Sequence, residues 1–97
     1  MKLITIEEYS KSVVTLAELA YQDCYSSEVA AMILLSAYNG FEWQISIPDL
    51  CRLDGTNYLA AINVIRGRTE LLLEPQRVMD NGSFHMKKIW DLWAEKP

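Results

Sequence analysis

From Val29 to Tyr38 the chain runs Val-Ala-Ala-Met-Ile-Leu-Leu-Ser-Ala-Tyr, with Ser36 the one polar residue. A helix that is apolar on every side has no face to give to water, so it must be surrounded by other elements. At about ten residues it is far too short for the ~20 that a membrane span needs. The run is therefore the expected core helix of a helical bundle, capped at Ser26 or Ser27. Asn39-Gly40 should end it, with glycine in the left-handed conformation and Phe41 closing the end as an apolar contact.

The neighbours of that helix follow from the same kind of reading. Thr5-Ile6-Glu7-Glu8 has the spacing of a capping box, and Ile6, Tyr9, Val13, Leu16 or Ala17, Ala20 and Cys24 recur at three and four as one stripe. Asp54-Gly55 is a turn, and Thr56 or Asn57 opens a long helix carrying Tyr58, Leu59, Ala61, Ile62 and Ile65 that Gly67 should end. Pro75 favours a short helical turn to Met79, closed by Asp80-Asn81-Gly82. Ser83 then caps a last helix, with Met86, Ile89, Trp90 and Trp93 inward and Lys87, Lys88, Asp91 and Glu95 in water.

Two segments have a different period. Phe41, Trp43, Ile45 and Ile47 alternate with Glu42, Gln44 and Ser46 as in a half-buried strand, while Pro48 and Asp49 equally open a short helix over Ile47 to Leu53. Leu71-Leu72-Leu73 reads either as a strand partnering the first segment or as helical packing. The expected fold is mainly α: one domain over residues 1–97, a compact bundle of four to five helices with room for a minor two-stranded β element at about 41–46 and 70–74.

Charge and composition narrow the function. The formal net charge is −4, which argues against a general polyanion binder. Residues 1–54 carry −5 and residues 55–97 carry +1, so the acidity lies in the first half. Cys24 and Cys51 fit no metal or redox spacing and are expected as small buried hydrophobes. The single histidine, His85, stands beside lysines at a helix start, and Glu7 and Glu8 point in different directions. No set of residues gathers for catalysis, for a metal or for a cofactor.

Candidate partner-binding residues are therefore Glu7, Glu8 and Glu18 on the acidic first helix, with Trp43, the tryptophan on the short amphipathic segment. Trp90 and Trp93 belong to the core. The turn at Asp54-Gly55 also imitates helix-turn-helix spacing, which makes Asn57, Asn63, Arg66 and Arg68 the candidate nucleic-acid contacts of an alternative reading. That reading is the weaker, because the bases stand at the far end of the helix.

Three stretches also carry a family resemblance: Ala30 to Gly40, Ile47 to Asp54, and Asp80-Asn81-Gly82 leading to Trp93. They resemble a family of small uncharacterised bacterial proteins, common on prophages, plasmids and integrative elements, and the likeness covers about residues 26–95. It implies a helical fold and carries no assigned reaction. The expectation is a cytoplasmic, non-enzymatic accessory of a mobile element without cofactor or membrane anchor. It would dock onto a protein, with an acidic inhibitor of a nucleic-acid-handling or defence complex as one version, and could self-associate as a homodimer. A dimeric DNA-binding regulator is the alternative.

Overall fold

A computed structural model describes residues 2–94. The capping box forms as its spacing requires. Thr5 Oγ1 accepts from the Glu8 N–H at 3.1 Å, and Glu8 Oε1 accepts from the Thr5 N–H at 2.9 Å. These bonds start α1 (Ile6–Ala20), which buries Tyr9, Val13, Leu16, Ala17 and Ala20. The ends of the predicted stripe do not follow. Ile6 is 56% exposed because Ile4, just before the helix, fills that edge of the core; Cys24 is exposed because the helix has already ended.

The apolar run becomes α2 (Ser27–Tyr38), with Val29, Ala30, Ala31, Ile33, Leu34 and Leu35 buried. Ser26 holds the cap position without a side-chain bond to the helix backbone, whereas Ser27 Oγ accepts from the Cys24 N–H. Its other end closes differently from the expectation. Asn39 is extended, with φ −150°, and its Oδ1 accepts from the N–H groups of Phe41 and Glu42 at 3.1 and 3.2 Å. An Asx turn replaces the left-handed glycine, no described glycine has positive φ, and Phe41 stands in solvent.

No strand forms among the described residues, which corrects the β element expected at 41–46 and 70–74. The middle of the first segment nonetheless alternates, although Phe41 and Ile47 at its two ends are exposed. Trp43 and Ile45 lean on the core while Glu42, Gln44 and Ser46 face out, so an arm lying across helices has the same period as a strand on a sheet. The arm leads into a 3₁₀ helix, Ile47–Arg52, that packs on α2. In its tighter winding Leu50 turns inward and Cys51 is exposed, so neither cysteine is buried as expected. Arg52 fastens this segment, donating to Glu28 Oε1 at 3.1 Å and to the Tyr25 carbonyl at 2.6 Å.

Asp54 caps α3 (Gly55–Glu70) by accepting from the Asn57 N–H at 3.0 Å. This helix buries Ala60, Ala61, Val64 and Gly67, while Tyr58, Leu59 and Ile65 of the expected apolar set are exposed, and Gly67 does not end the helix, which continues one turn further. Leu71 closes it, Leu72 follows in the left-handed region at φ 58°, and Pro75–Val78 forms a second 3₁₀ turn. Asn81, at φ 54°, turns the chain into α4 (Gly82–Ala94). That helix starts one residue before the expected cap, leaving Ser83 inside its first turn. Met86, Ile89 and Trp93 are buried, and Trp93 Nε1 donates to the Ala20 carbonyl at 3.0 Å. Glu95, expected in water, lies outside the described residues.

α1 packs on both α2 and α3, α4 packs on α2, and the Pro75–Val78 turn wedges beneath α4 and α1. One contiguous core runs through all four helices, and the radius of gyration is 12.1 Å. Each fully buried leucine or isoleucine contributes about 1.5–3 kcal/mol over its exposed state, before chain entropy is set against it. No described helix is long and apolar enough to cross a membrane.

Candidate functional site

The C-terminal end of α2 is where the packed surface opens. Two hollows adjoin there, both lined by Tyr38, Asn39 and Glu74, with volumes of about 760 and 900 Å³. Together they make a groove running from Phe41 and Leu72 at one end to Trp90 and Lys87 at the other.

The first hollow has an aromatic wall. Trp90 meets Tyr38 edge-on, 6.2 Å between ring centroids, and Trp43 edge-on at 5.3 Å. Such ring pairs hold the three side chains in fixed orientations. The rim is polar: Lys87 pairs with Asp91 across one helical turn at 3.4 Å, and Ser83 and Gln76 complete the lining. The Gln76 Oε1 and Trp43 Nε1 atoms are buried and have no hydrogen-bond partner among the described residues.

The second hollow is flanked by exposed apolar groups. Phe41 is 100% exposed and Leu72 is 77% exposed. Leu72 is turned outward by its left-handed backbone, a conformation that costs a non-glycine residue roughly 1–2 kcal/mol. Arg68 and Glu74 line the same hollow. Arg68 Nε donates to the Ala37 carbonyl at 3.1 Å, yet neither Arg68 nor Glu74 belongs to an ion pair among the described residues.

The candidates read from the sequence are dispersed. Glu7 and Glu18 lie exposed on α1, eleven residues and about three turns apart, and thus on one face roughly 16 Å long. Glu8 is held by the capping box, where the Thr5 backbone N–H keeps its carboxyl below the usual range. Trp43 is half-buried and packs edge-on against Trp90, which lines the first hollow, without lining either hollow itself.

The alternative set is largely engaged within the chain. Asn63 Nδ2 donates to Ser12 Oγ at 3.1 Å. Arg66 donates to Glu70 through Nε and Nη2, at 2.7 and 3.1 Å, and to the Lys2 carbonyl at 2.8 Å. Arg68 holds Ala37, and Asn57 is half-buried in the first turn of α3. The 3₁₀ helix before α3 packs on α2, unlike the paired helices of a DNA-reading motif.

Reactive groups stay apart. His85 Nδ1 sits 2.6 Å from the Tyr21 hydroxyl, on the far side of α4 from the groove wall made by Trp90. The Cys24 thiol is pulled below its ordinary pKa by the Ser27 hydroxyl, then by that of Ser26, and it stands exposed at the surface. Among the described residues no group of three His, Cys, Asp or Glu side chains is placed to hold a metal ion.

Reading the sequence missed Phe41, Leu72 and Glu74. Phe41 was expected to close a helix end and Leu72 to sit inside a leucine run; three consecutive leucines carry no signal for which one the backbone will turn outward.

The model of DUF7673, a family of unknown function, matches residues 10–94. No curated protein and no solved structure matches.

Proposed function

Since the chain belongs to DUF7673 and that family's function is unknown, we propose from its surface that it is a non-enzymatic, protein-binding accessory protein of the cytoplasm. One observation carries the reading: Phe41 and Leu72, two large apolar side chains, stand exposed on the same hollow at the end of the core helix. Single exposed apolar residues are ordinary on a protein surface, but a cluster beside a groove with a polar rim has the make-up of a docking patch. Tyr38 and Trp90 in the wall of the first hollow, with Trp43 packed behind Trp90, add residue types that anchor interfaces.

The resemblance to small proteins of prophages, plasmids and integrative elements points to a host protein or one encoded by the element as the partner. An acidic inhibitor of a nucleic-acid-handling or defence complex is the specific version supported by Glu7 and Glu18, which share one exposed face of α1. Affinity capture from the native host separates these ideas. A partner retained by the wild type and lost with Phe41→Ser supports the groove; loss with Glu7→Lys and Glu18→Lys supports the acidic version. Capture unchanged by all three sinks both.

The DNA-binding regulator stands second, because Asn63, Arg66 and Arg68 already have partners within the chain. A shift of duplex DNA at low salt that disappears with Arg66→Ala would promote it.

A further inference from the structure

We propose that the hollow beside Phe41 and Leu72 is a contact between two copies of this chain, related by a two-fold axis. The proposal rests on reading the groove as a docking surface and names a second copy as its occupant.

Charge supports this occupant. The hollow carries one cation, Arg68, and one anion, Glu74, and neither is in an ion pair among the described residues although both line the same space. A partner of a single sign would satisfy one of them and repel the other. A second copy brings both signs. About a two-fold axis, Arg68 of each copy can face Glu74 of the other, so one surface supplies its own complement twice.

Shape agrees with charge. The patch has knobs, Phe41 and Leu72, and beside them a hollow of about 900 Å³ bounded by Tyr38, Thr69 and Gly40. An isologous contact needs a knob and a recess on the same face, since each copy must give what it receives. Leu72 reaches solvent only through a strained backbone, and burial against a second copy would offset that strain. A standard interface takes about 800 Å² from each partner, close to an eighth of the 6067 Å² that the chain exposes. The groove continues past Glu74 to Trp90, which extends the surface a second copy can cover.

Sedimentation equilibrium of the full chain from about 1 to 500 µM tests the proposal, with Arg68→Glu and Glu74→Arg each measured alone and in equimolar mixture. The wild type should dimerise. Each reversal places like charges opposite one another and should weaken dimerisation at least about tenfold. The mixture should restore it to within about threefold, because a chain with two acids then meets a chain with two bases and both contacts re-form. Phe41→Ser, at a position outside the core, should weaken the dimer tenfold with unchanged circular dichroism. That variant keeps the test decisive if losing the Arg68–Ala37 bond unfolds Arg68→Glu.

A wild type that stays monomeric to 500 µM, a dimer indifferent to Phe41→Ser, or soluble single variants whose mixture restores nothing overturns the proposal. Lysate capture in parallel distinguishes the two readings. A monomeric chain whose host partner is lost with Phe41→Ser retains the docking groove and loses only the second copy as its occupant.

Discussion

Tyr9 in α1 presses its ring against Gly67 in α3, so closely that a Cβ built on Gly67 would fall within the ring atoms. The same side chain reaches on past the helix end, where its hydroxyl donates to the Leu73 carbonyl at 2.7 Å. One tyrosine thus sets how near two helices approach and also fixes the turn that follows the second, which positions Leu72 at the groove.

Gly67→Ala therefore destabilises the protein although alanine is the better helix former. Alanine gains about 1 kcal/mol in helix propensity, whereas overpacking a core contact costs about 1–3 kcal/mol. Tyr9 is wholly buried and has nowhere to move, so the cost falls at the upper end. A net loss of about 1–2 kcal/mol is expected, read as a lower thermal midpoint by about 4–8 °C per kcal/mol. In a Tyr9→Ala background the penalty of Gly67→Ala should largely vanish.

Burial pushes the Tyr9 phenol from 10.0 up to about 12. Its folded state keeps the proton after the unfolded state has lost it, so stability is complete below pH 10 and declines between pH 10 and about 12. Tyr21 is also raised, by its own burial, and steepens the same limb. Tyr9→Phe should lower the midpoint at pH 7 by the loss of one hydrogen bond, about 1 kcal/mol, and flatten the decline above pH 10. A Tyr9→Phe profile as steep as that of the wild type would remove this account.

Glu70 ties the segment before α1 to α3. It accepts from Arg66 and from the Ile4 N–H at 2.8 Å, and the Arg66 guanidinium, then that N–H, hold its carboxyl below the usual 4.5. Glu8 is lowered as well, by the Thr5 N–H. Both contribute stability that is present above pH 4.5 and lost as pH falls through their lowered values. Glu70→Gln should lower the midpoint at pH 7 and make the acid limb shallower, which thermal melts from pH 2 to 7 would read.

Leu72→Gly separates stability from docking. Glycine relieves a left-handed strain of roughly 1–2 kcal/mol against about 0.5–1 kcal/mol of added chain entropy, and little burial is lost because the side chain is exposed. The midpoint should rise by a few degrees while capture of the partner and self-association both weaken. A variant that melts higher and binds undiminished would show that Leu72 has no part in the interface.

Much of the helical frame was legible because its signals are local. A threonine and a glutamate three residues apart can bond each other's backbone wherever they sit, so Thr5 and Glu8 mark the start of α1 without help from the rest of the chain. The same holds for Pro75 at the opening of the second 3₁₀ turn. The candidate site was far less legible. Of the residues lining it only Arg68 was a site candidate, and for another role, as a phosphate contact, though it holds Ala37; Trp43, the partner-binding candidate, is half-buried and lies behind the wall, against Trp90.

What the order of residues determined by itself was a bundle of four to five helices, most of their starts, and the main core positions of α1, α2 and α4, since these depend on neighbours within about four positions. What only the tertiary structure decided was the meaning of positions whose partners lie far along the chain. Gly67 reads as a helix stop until Tyr9, fifty-eight residues earlier, is seen to fill the space where its side chain would be. The alternation at 41–46 reads as a strand until the arm is seen lying on helices with no second strand to pair with. Local bonds cost little chain entropy and form wherever the sequence allows; contacts between distant residues exist only where the whole packing brings them together.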